Sequence, residues 1–343
     1  MRRERLQNHI AGSVFTLPVC AIVAAILWWI PEQHAPATEA TGILSFLPTG
    51  TSWSWQCFVV DVPRIVAFLL MVVATCVLIE MNNRNLLLRI RSRLVSSTWL
   101  VSTAAISATH VYSDGLASAV CVASALYLLF FTYQKRECQA DTFHWALLIG
   151  VGSIFVPQVI VFMPLFLWHQ TVFLRSMSLR SFCAAWVGCL FPLSLWAGYW
   201  IVSDNYEMLY AWVSELVAYV PIRPANYLSF TWQQVASWGA VTFFGLLGML
   251  HYLNTSYNDR IQVRMLLYIL SVQFFVTEAF VCLQPQHLDT LMPMLVMLAS
   301  PLIAHFFTLT SSWFTNALFV LSVLGFAALA YLNIFMPSMP LVF

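Results

Sequence analysis

The chain has 343 residues, of which 61% are hydrophobic and 8% charged, with a formal net charge of +1. A soluble surface carries about a quarter charged residues, so this composition excludes a soluble globular protein. The near-zero net charge offers no basic face to nucleic acid.

Arg2, Arg3 and Arg5 precede the apolar run Gly12–Ile30, which ends in the aromatic pair Trp28-Trp29. The charged start and Ala35-Pro36-Ala37 resemble a signal peptide. The apolar run is longer than a signal core, and Glu32 interrupts the approach to the site, so an uncleaved first helix is expected. A polar segment over 31–60 follows, and the chain re-enters an apolar run at Asp61-Val62-Pro63-Arg64. Arg84 opens a cationic loop, and Leu86 to Arg93, with Leu and Ile on one face and Arg89, Arg91 and Arg93 spaced through it, predicts a short amphipathic helix on the inner membrane surface. Apolar runs over about 94–111 and 115–133 are joined by the hairpin His110–Asp114.

Between Lys135-Arg136 and Arg175/Arg180 the chain must cross and return within about thirty residues, 143–174, too few for two full crossings of ~20 residues each. Pro157-Gln158 at the midpoint predicts a pair of half-length helices with these residues at the tip. One long tilted helix is the alternative. A further span over 182–202 leads to a second polar segment, 203–232. There Tyr206, Leu209, Tyr210, Val213, Leu216, Val217 and Val220 recur at helical spacing, until Pro221 and Pro224 end the pattern. The aromatic content of 31–60 and 203–232 predicts that the two segments fold against each other. Spans over about 234–253, 264–283, 290–308 and 313–335 complete the chain. The expected fold is all-α: a polytopic transmembrane helix bundle of about eleven membrane segments, forming one integral membrane domain over 1–343.

Thirteen of the fifteen Lys and Arg fall in alternate segments, leaving only Arg64 and Arg223 on the other side. Because cations near span ends stay cytoplasmic, the expected orientation in a bacterial inner membrane has the N-terminus cytoplasmic and the C-terminus periplasmic. Membrane lipid is the expected partner, and nucleic acid is not.

Familiar catalytic motifs are missing, and the eight Cys and eight His show no metal-ligand spacing. No metal and no cofactor is assigned, and a pairing of Cys57 with Cys282 stays open. What remains is a set of acids on the expected outer side, with Asp61 at the mouth of the second helix. Asp61 is the candidate general base. Arg64, Asp114, Gln158, Arg223, His287 and Asp289 are candidate substrate-binding residues. An N-cap role with Pro63 in the first turn is the competing reading of Asp61. Glu278 lies inside a span, where an ionisable group is costly, and Gln273 or Gln158 are the expected hydrogen-bond partners.

The run Asn82–Leu87, Asp141-Thr142-Phe143, the stretch Gly150–Pro157, and Leu174–Phe182 leading to Gly188 and Pro192 together resemble a family of polytopic inner-membrane proteins of Gram-negative bacteria. That family brings no established activity with it. An acid ending the first outer loop, paired half-helices after the fourth span and a long outer loop with an interfacial helix are similar to the membrane-embedded polyprenyl-phosphate-sugar-dependent glycosyltransferases. That resemblance implies Asp61 as base, Arg223, Arg64 or His287 at the lipid phosphate, and a polyprenyl-phosphate-linked sugar as partner. The chain lacks that class's paired acid beside Asp61 and its large soluble domain. A non-enzymatic membrane subunit or a transporter of an envelope-assembly system is the alternative.

Overall fold

The computed structural model describes residues 6–30, 62–89, 92–106, 109–221, 223, 226–227 and 230–337. Thirteen α-helices occur among them, and no strand. In chain order they are α1 (Leu6–Gly12), α2 (Thr16–Trp29), α3 (Val62–Asn85), α4 (Leu94–Ala105), α5 (Asp114–Phe130), α6 (Gln139–Phe155), α7 (Phe162–Val172), α8 (Leu179–Val202), α9 (Tyr206–Val217), α10 (Trp232–Thr255), α11 (Ile261–Leu283), α12 (Leu288–Leu309) and α13 (Trp313–Phe335).

Among the described residues six helical stretches are long and apolar enough to cross a membrane: Val62–Asn85, Leu179–Val202, Trp232–Asn258, Ile261–Leu283, Pro285–Leu309 and Trp313–Phe335. At ~1.5 Å per residue, even the shortest of these reaches across a hydrocarbon core of about 30 Å. Shorter apolar helices fill Thr16–Trp29, Leu94–Ala105 and Asp114–Phe130. The chain is therefore a helical protein of multi-pass membrane character, placed in a lipid environment.

The chain forms two compact units, Met1–Leu116 with Ile222–Phe343, and Ala117–Pro221. In the first, α12 is the central helix, packed by α10, α4, α11 and α1. Nearly all of its residues are buried, so it meets protein on every side. Small residues allow the approach. A Cβ on Gly248 would lie 2.5 Å from the Leu302 carbonyl oxygen, and one on Gly245 would strike the Phe274 ring. Close approach through glycine is the membrane solution to helix packing, since no hydrophobic force favours protein over lipid contact. Capping boxes at Thr231/Gln234 and Ser312/Thr315 fix where α10 and α13 begin.

The second unit is organised by α6 against α8. A Cβ on Gly150 would come within 2.4 Å of the Cys189 carbonyl oxygen, and one on Gly188 within 2.5 Å of the Phe143 carbonyl oxygen. Glycines on the two helices thus face each other's backbone at two levels. A 3-10 turn, Pro157–Val161, joins α6 to α7. The two helices run antiparallel: the Gln134 N–H donates to the Leu174 carbonyl at 2.9 Å, and Gln170 Nε2 donates to Thr142 Oγ1 at 2.8 Å. One continuous tilted helix is thereby excluded. The helix expected from the spacing after Tyr206 is present as α9, held by Trp212 Nε1 donating to the Ser153 carbonyl at 2.8 Å.

The amphipathic helix expected over 86–93 does not form across its described residues. Leu86, at φ 50°, leaves the helical region and ends α3. Asn82 Nδ2 then donates to the Ser92 carbonyl at 2.9 Å, and Arg89 is drawn to a buried carboxylate. The expected packing of 31–60 on 203–232 involves residues outside those described.

Candidate functional site

Thr231, Gln234, Trp238 and Thr242 recur at three- and four-residue spacing and so form one stripe along the first three turns of α10. The Gln234 side-chain oxygen accepts from the Thr231 N–H at 2.8 Å and from the Thr231 hydroxyl at 3.1 Å. That cap turns its amide nitrogen outward, where it donates to Asp289 Oδ2 at 2.8 Å. One turn on, Trp238 Nε1 donates to Glu278 Oε1 at 2.8 Å, and Thr242 Oγ1 donates to the same oxygen at 2.8 Å. The stripe therefore holds two carboxylates from two other helices, about one helical turn apart.

Both acids are held by neutral donors only. Among the described residues no cation pairs with either, and the second oxygen of Glu278 is buried without a hydrogen-bond partner. Glu278 is 6% exposed and lies about a turn and a half inside α11. Its partners are Trp238 and Thr242, not Gln273 on the same helix, whose amide atoms are themselves unpartnered. Gln158, the other expected partner, donates instead from Nε2 to the Glu215 carbonyl at 3.3 Å, tying the Pro157 turn to α9 within the second unit.

Several other candidate residues gather at the same end of the first unit. Asp114 opens α5 and accepts from the Tyr112 hydroxyl at 2.9 Å. Beside it, Gly115 lies directly on the first turn of α12, where an added Cβ would fall 1.8 Å from the Thr290 carbonyl oxygen. His287 ends the 3-10 turn Pro285–His287, buried, with its ring 5.8 Å from that of Phe280. Arg64 stands half-buried in the first turn of α3. Arg223 is exposed, and four residues on the Tyr227 hydroxyl donates to the Cys282 carbonyl at the end of α11. Asp61 lies outside the described residues, one position before α3 begins. Asp114, His287, Asp289 and Glu278 are thus drawn to one end, while Gln158 belongs to the other unit.

A second polar cluster, at the opposite end of the first unit, escaped the sequence reading. Asp259, in the turn between α10 and α11, accepts from Arg89 Nε at 2.6 Å and lies 3.3 Å from His305 Nε2. Burial pushes the Asp259 carboxyl up, but hydrogen bonds with His305 and Arg89 and their charges outweigh it and hold the group below the usual carboxylate range. The rings of Tyr252 and His251 flank His305 at 5.4 and 6.1 Å. The partners are 170 and 46 residues apart, so no local spacing announces them.

The two ends thus differ in kind. Asp259 is paired with a cation and locked, whereas Glu278 and Asp289 meet only neutral donors among the described residues. Such groups can accept a hydrogen bond from a hydroxyl, take a proton or meet a cation. Among the described residues no group of three or more His, Cys, Asp or Glu could hold a metal ion. Comparison of the chain with protein-family models, with curated proteins and with solved structures gives no match in any of the three.

Proposed function

We propose that the chain is an inner-membrane protein of about eleven membrane segments, with α6 and α7 as a half-length pair around Pro157. In this reading its Asp289 end faces the periplasm and handles a lipid-linked sugar there. The distribution of cations supports the orientation. In the first unit Arg84, Arg89, Arg93, Arg260 and Arg264 lie toward the Asp259 end. In the second, Lys135, Arg136, Arg175 and Arg180 share the end opposite Pro157. Labelling of single cysteines placed at Ser178 and Val161 tests it: reagent confined to the periplasm should reach position 161 and not position 178.

One observation carries the functional reading: two acids held by neutral donors stand at the cation-poor end, where α3 also begins at Val62. Transfer from a polyprenyl-phosphate-linked sugar asks little of the protein. A carboxylate takes the acceptor's hydroxyl proton as the oxygen attacks the anomeric carbon, and the bond to the lipid phosphate breaks with its electrons staying on that phosphate. Asp61 serves as base, Arg64, Arg223 or His287 meets the phosphate, and Asp114 and Asp289 orient hydroxyls of the acceptor. Purified protein in lipid nanodiscs, given a radiolabelled polyprenyl-phosphate sugar and membrane-extracted acceptors, should transfer label. Protein that stays folded and transfers nothing from any polyprenyl-phosphate sugar overturns the reading.

A second reading draws on Glu278 alone. An acid inside a span with one unpartnered oxygen suits a proton carrier of a transporter. Proton uptake by proteoliposomes under an imposed pH gradient, abolished by Glu278→Gln, would favour it.

A further inference from the structure

A cavity of about 430 Å³ lies within the first unit, walled by α1, α2, α4, α12 and α13. That volume is in the range of ~300–1,000 Å³ typical of small-ligand sites. Its walls are apolar, with Ile10, Val101, Ile303 and Phe307 among them. Of the six hydroxyls in its lining, four are spent on nearby backbone: Thr16 on the Ile10 carbonyl, Ser97 on Arg93, Thr98 on Leu94, and Ser322 on Phe319. Ser13 and Ser102 are the remaining hydroxyls in a lining that is otherwise mostly apolar.

The cavity is closed at one end and rimmed with charge at the other. Val101 and Phe326, both in its lining, belong to the packed cluster with Ala105, Leu329 and Ala330, which seals the side toward the Asp289 end. At the other end His9 lines the rim. Arg93 also stands there, exposed, its Nη1 3.4 Å from the Val14 carbonyl oxygen. Phe15, Val19 and Val323 complete the mouth and are about half exposed or more, on faces that meet lipid in a membrane.

We propose that this cavity seats one acyl chain of an anionic phospholipid from the leaflet at the Arg93 end, with the lipid phosphate held by Arg93 and His9. An apolar slot inside the bilayer, beneath the Arg93 guanidinium at the interface, matches an amphiphile with a single charged head. Chain burial supplies affinity, as it does for lipid anchors, and the guanidinium supplies preference for a negative phosphate. The site is separate from the Asp289 end, and its occupancy does not depend on any transfer chemistry there.

Native mass spectrometry of delipidated full-length protein, titrated with phosphatidylglycerol, phosphatidylcholine or glycerol phosphate, tests the proposal. One phosphatidylglycerol should bind with saturation, more tightly than phosphatidylcholine, and glycerol phosphate should not displace it. Val323→Trp fills the mouth from a lipid-facing position and should weaken phosphatidylglycerol about tenfold or more. Val19→Trp does the same from α2 and serves if the first variant misfolds. Arg93→Gln should bring phosphatidylglycerol down to phosphatidylcholine and leave phosphatidylcholine unchanged. Equal binding of both lipids to the native chain, undiminished binding to either folded tryptophan variant, or displacement by glycerol phosphate alone overturns it.

Discussion

Trp238 on α10 donates its indole N–H to Glu278 on α11 at 2.8 Å, so a tryptophan at the head of one membrane helix fixes an acid inside another. Thr242 shares the same oxygen. Trp238→Phe removes one donor and keeps most of the ring, and should cost about 1–3 kcal/mol, the penalty for an under-satisfied buried acceptor. Thr242→Val should cost a similar amount. The combined variant should lose more than the sum, because Glu278 is then left with no donor at all. Thermal unfolding of the four proteins in one detergent checks this. Strict additivity would show that Glu278 finds other partners.

The α6–α8 contact makes a sharp prediction because the same chain contains its own controls. Gly150→Ala and Gly188→Ala place a methyl against backbone oxygens at 2.4 and 2.5 Å, and each should destabilise by about 1–3 kcal/mol through overpacking. Gly198→Ala and Gly239→Ala meet nothing within 4 Å and should be neutral or gain up to about 1 kcal/mol from helix propensity. Melting temperatures that fail to separate the two pairs would contradict the packing described.

Much of the fold was legible because a membrane imposes length and polarity on each helix separately. The runs that became α8, α10, α11, α12 and α13 are long, apolar and punctuated by charge, and Pro157 marks its own turn. The amphipathic pattern after Tyr206 is likewise a local property, and α9 follows it. The misreadings share a physical origin. Leu86–Arg93 has helical spacing, but Arg89 gains more from Asp259 than the segment gains from lying flat on a surface. Proximity in sequence or depth points Glu278 to Gln273 or Gln158, whereas helix rotation places Trp238 and Thr242 beside it. The gathering of Asp114 with Asp289 depends on Gly115 fitting against Thr290, a contact between residues 175 positions apart in the chain.

Asp259 has a direct pH consequence. Its carboxyl is held below its ordinary value in the folded protein, so its contribution is complete above the unfolded value of ~3.9 and is lost as pH falls through the lower, folded value. Stability should therefore be flat with respect to this group from pH 8 to about 5 and fall in the acid limb. Asp259→Asn should be less stable at neutral pH by about 1–3 kcal/mol, moderated by the partial solvent exposure of Arg89, and should lose that part of the acid limb. Denaturant titrations at pH 7 and pH 2 would show it. An unchanged acid limb in the variant would mean that other carboxylates govern acid unfolding.

The central claim, that carboxylates at the Asp289 end act on a lipid-linked sugar with Asp61 as base, is tested most directly by Asp61→Asn in the native membrane. Protein abundance and envelope glycan composition are then measured together. An asparagine caps a helix nearly as well as an aspartate but cannot take a proton. The account predicts normal abundance with transfer reduced by about 10²–10⁴, and the corresponding glycan lost. Normal abundance with unchanged glycans and growth would contradict it, leaving Asp61 a helix cap and the chain a subunit or transporter.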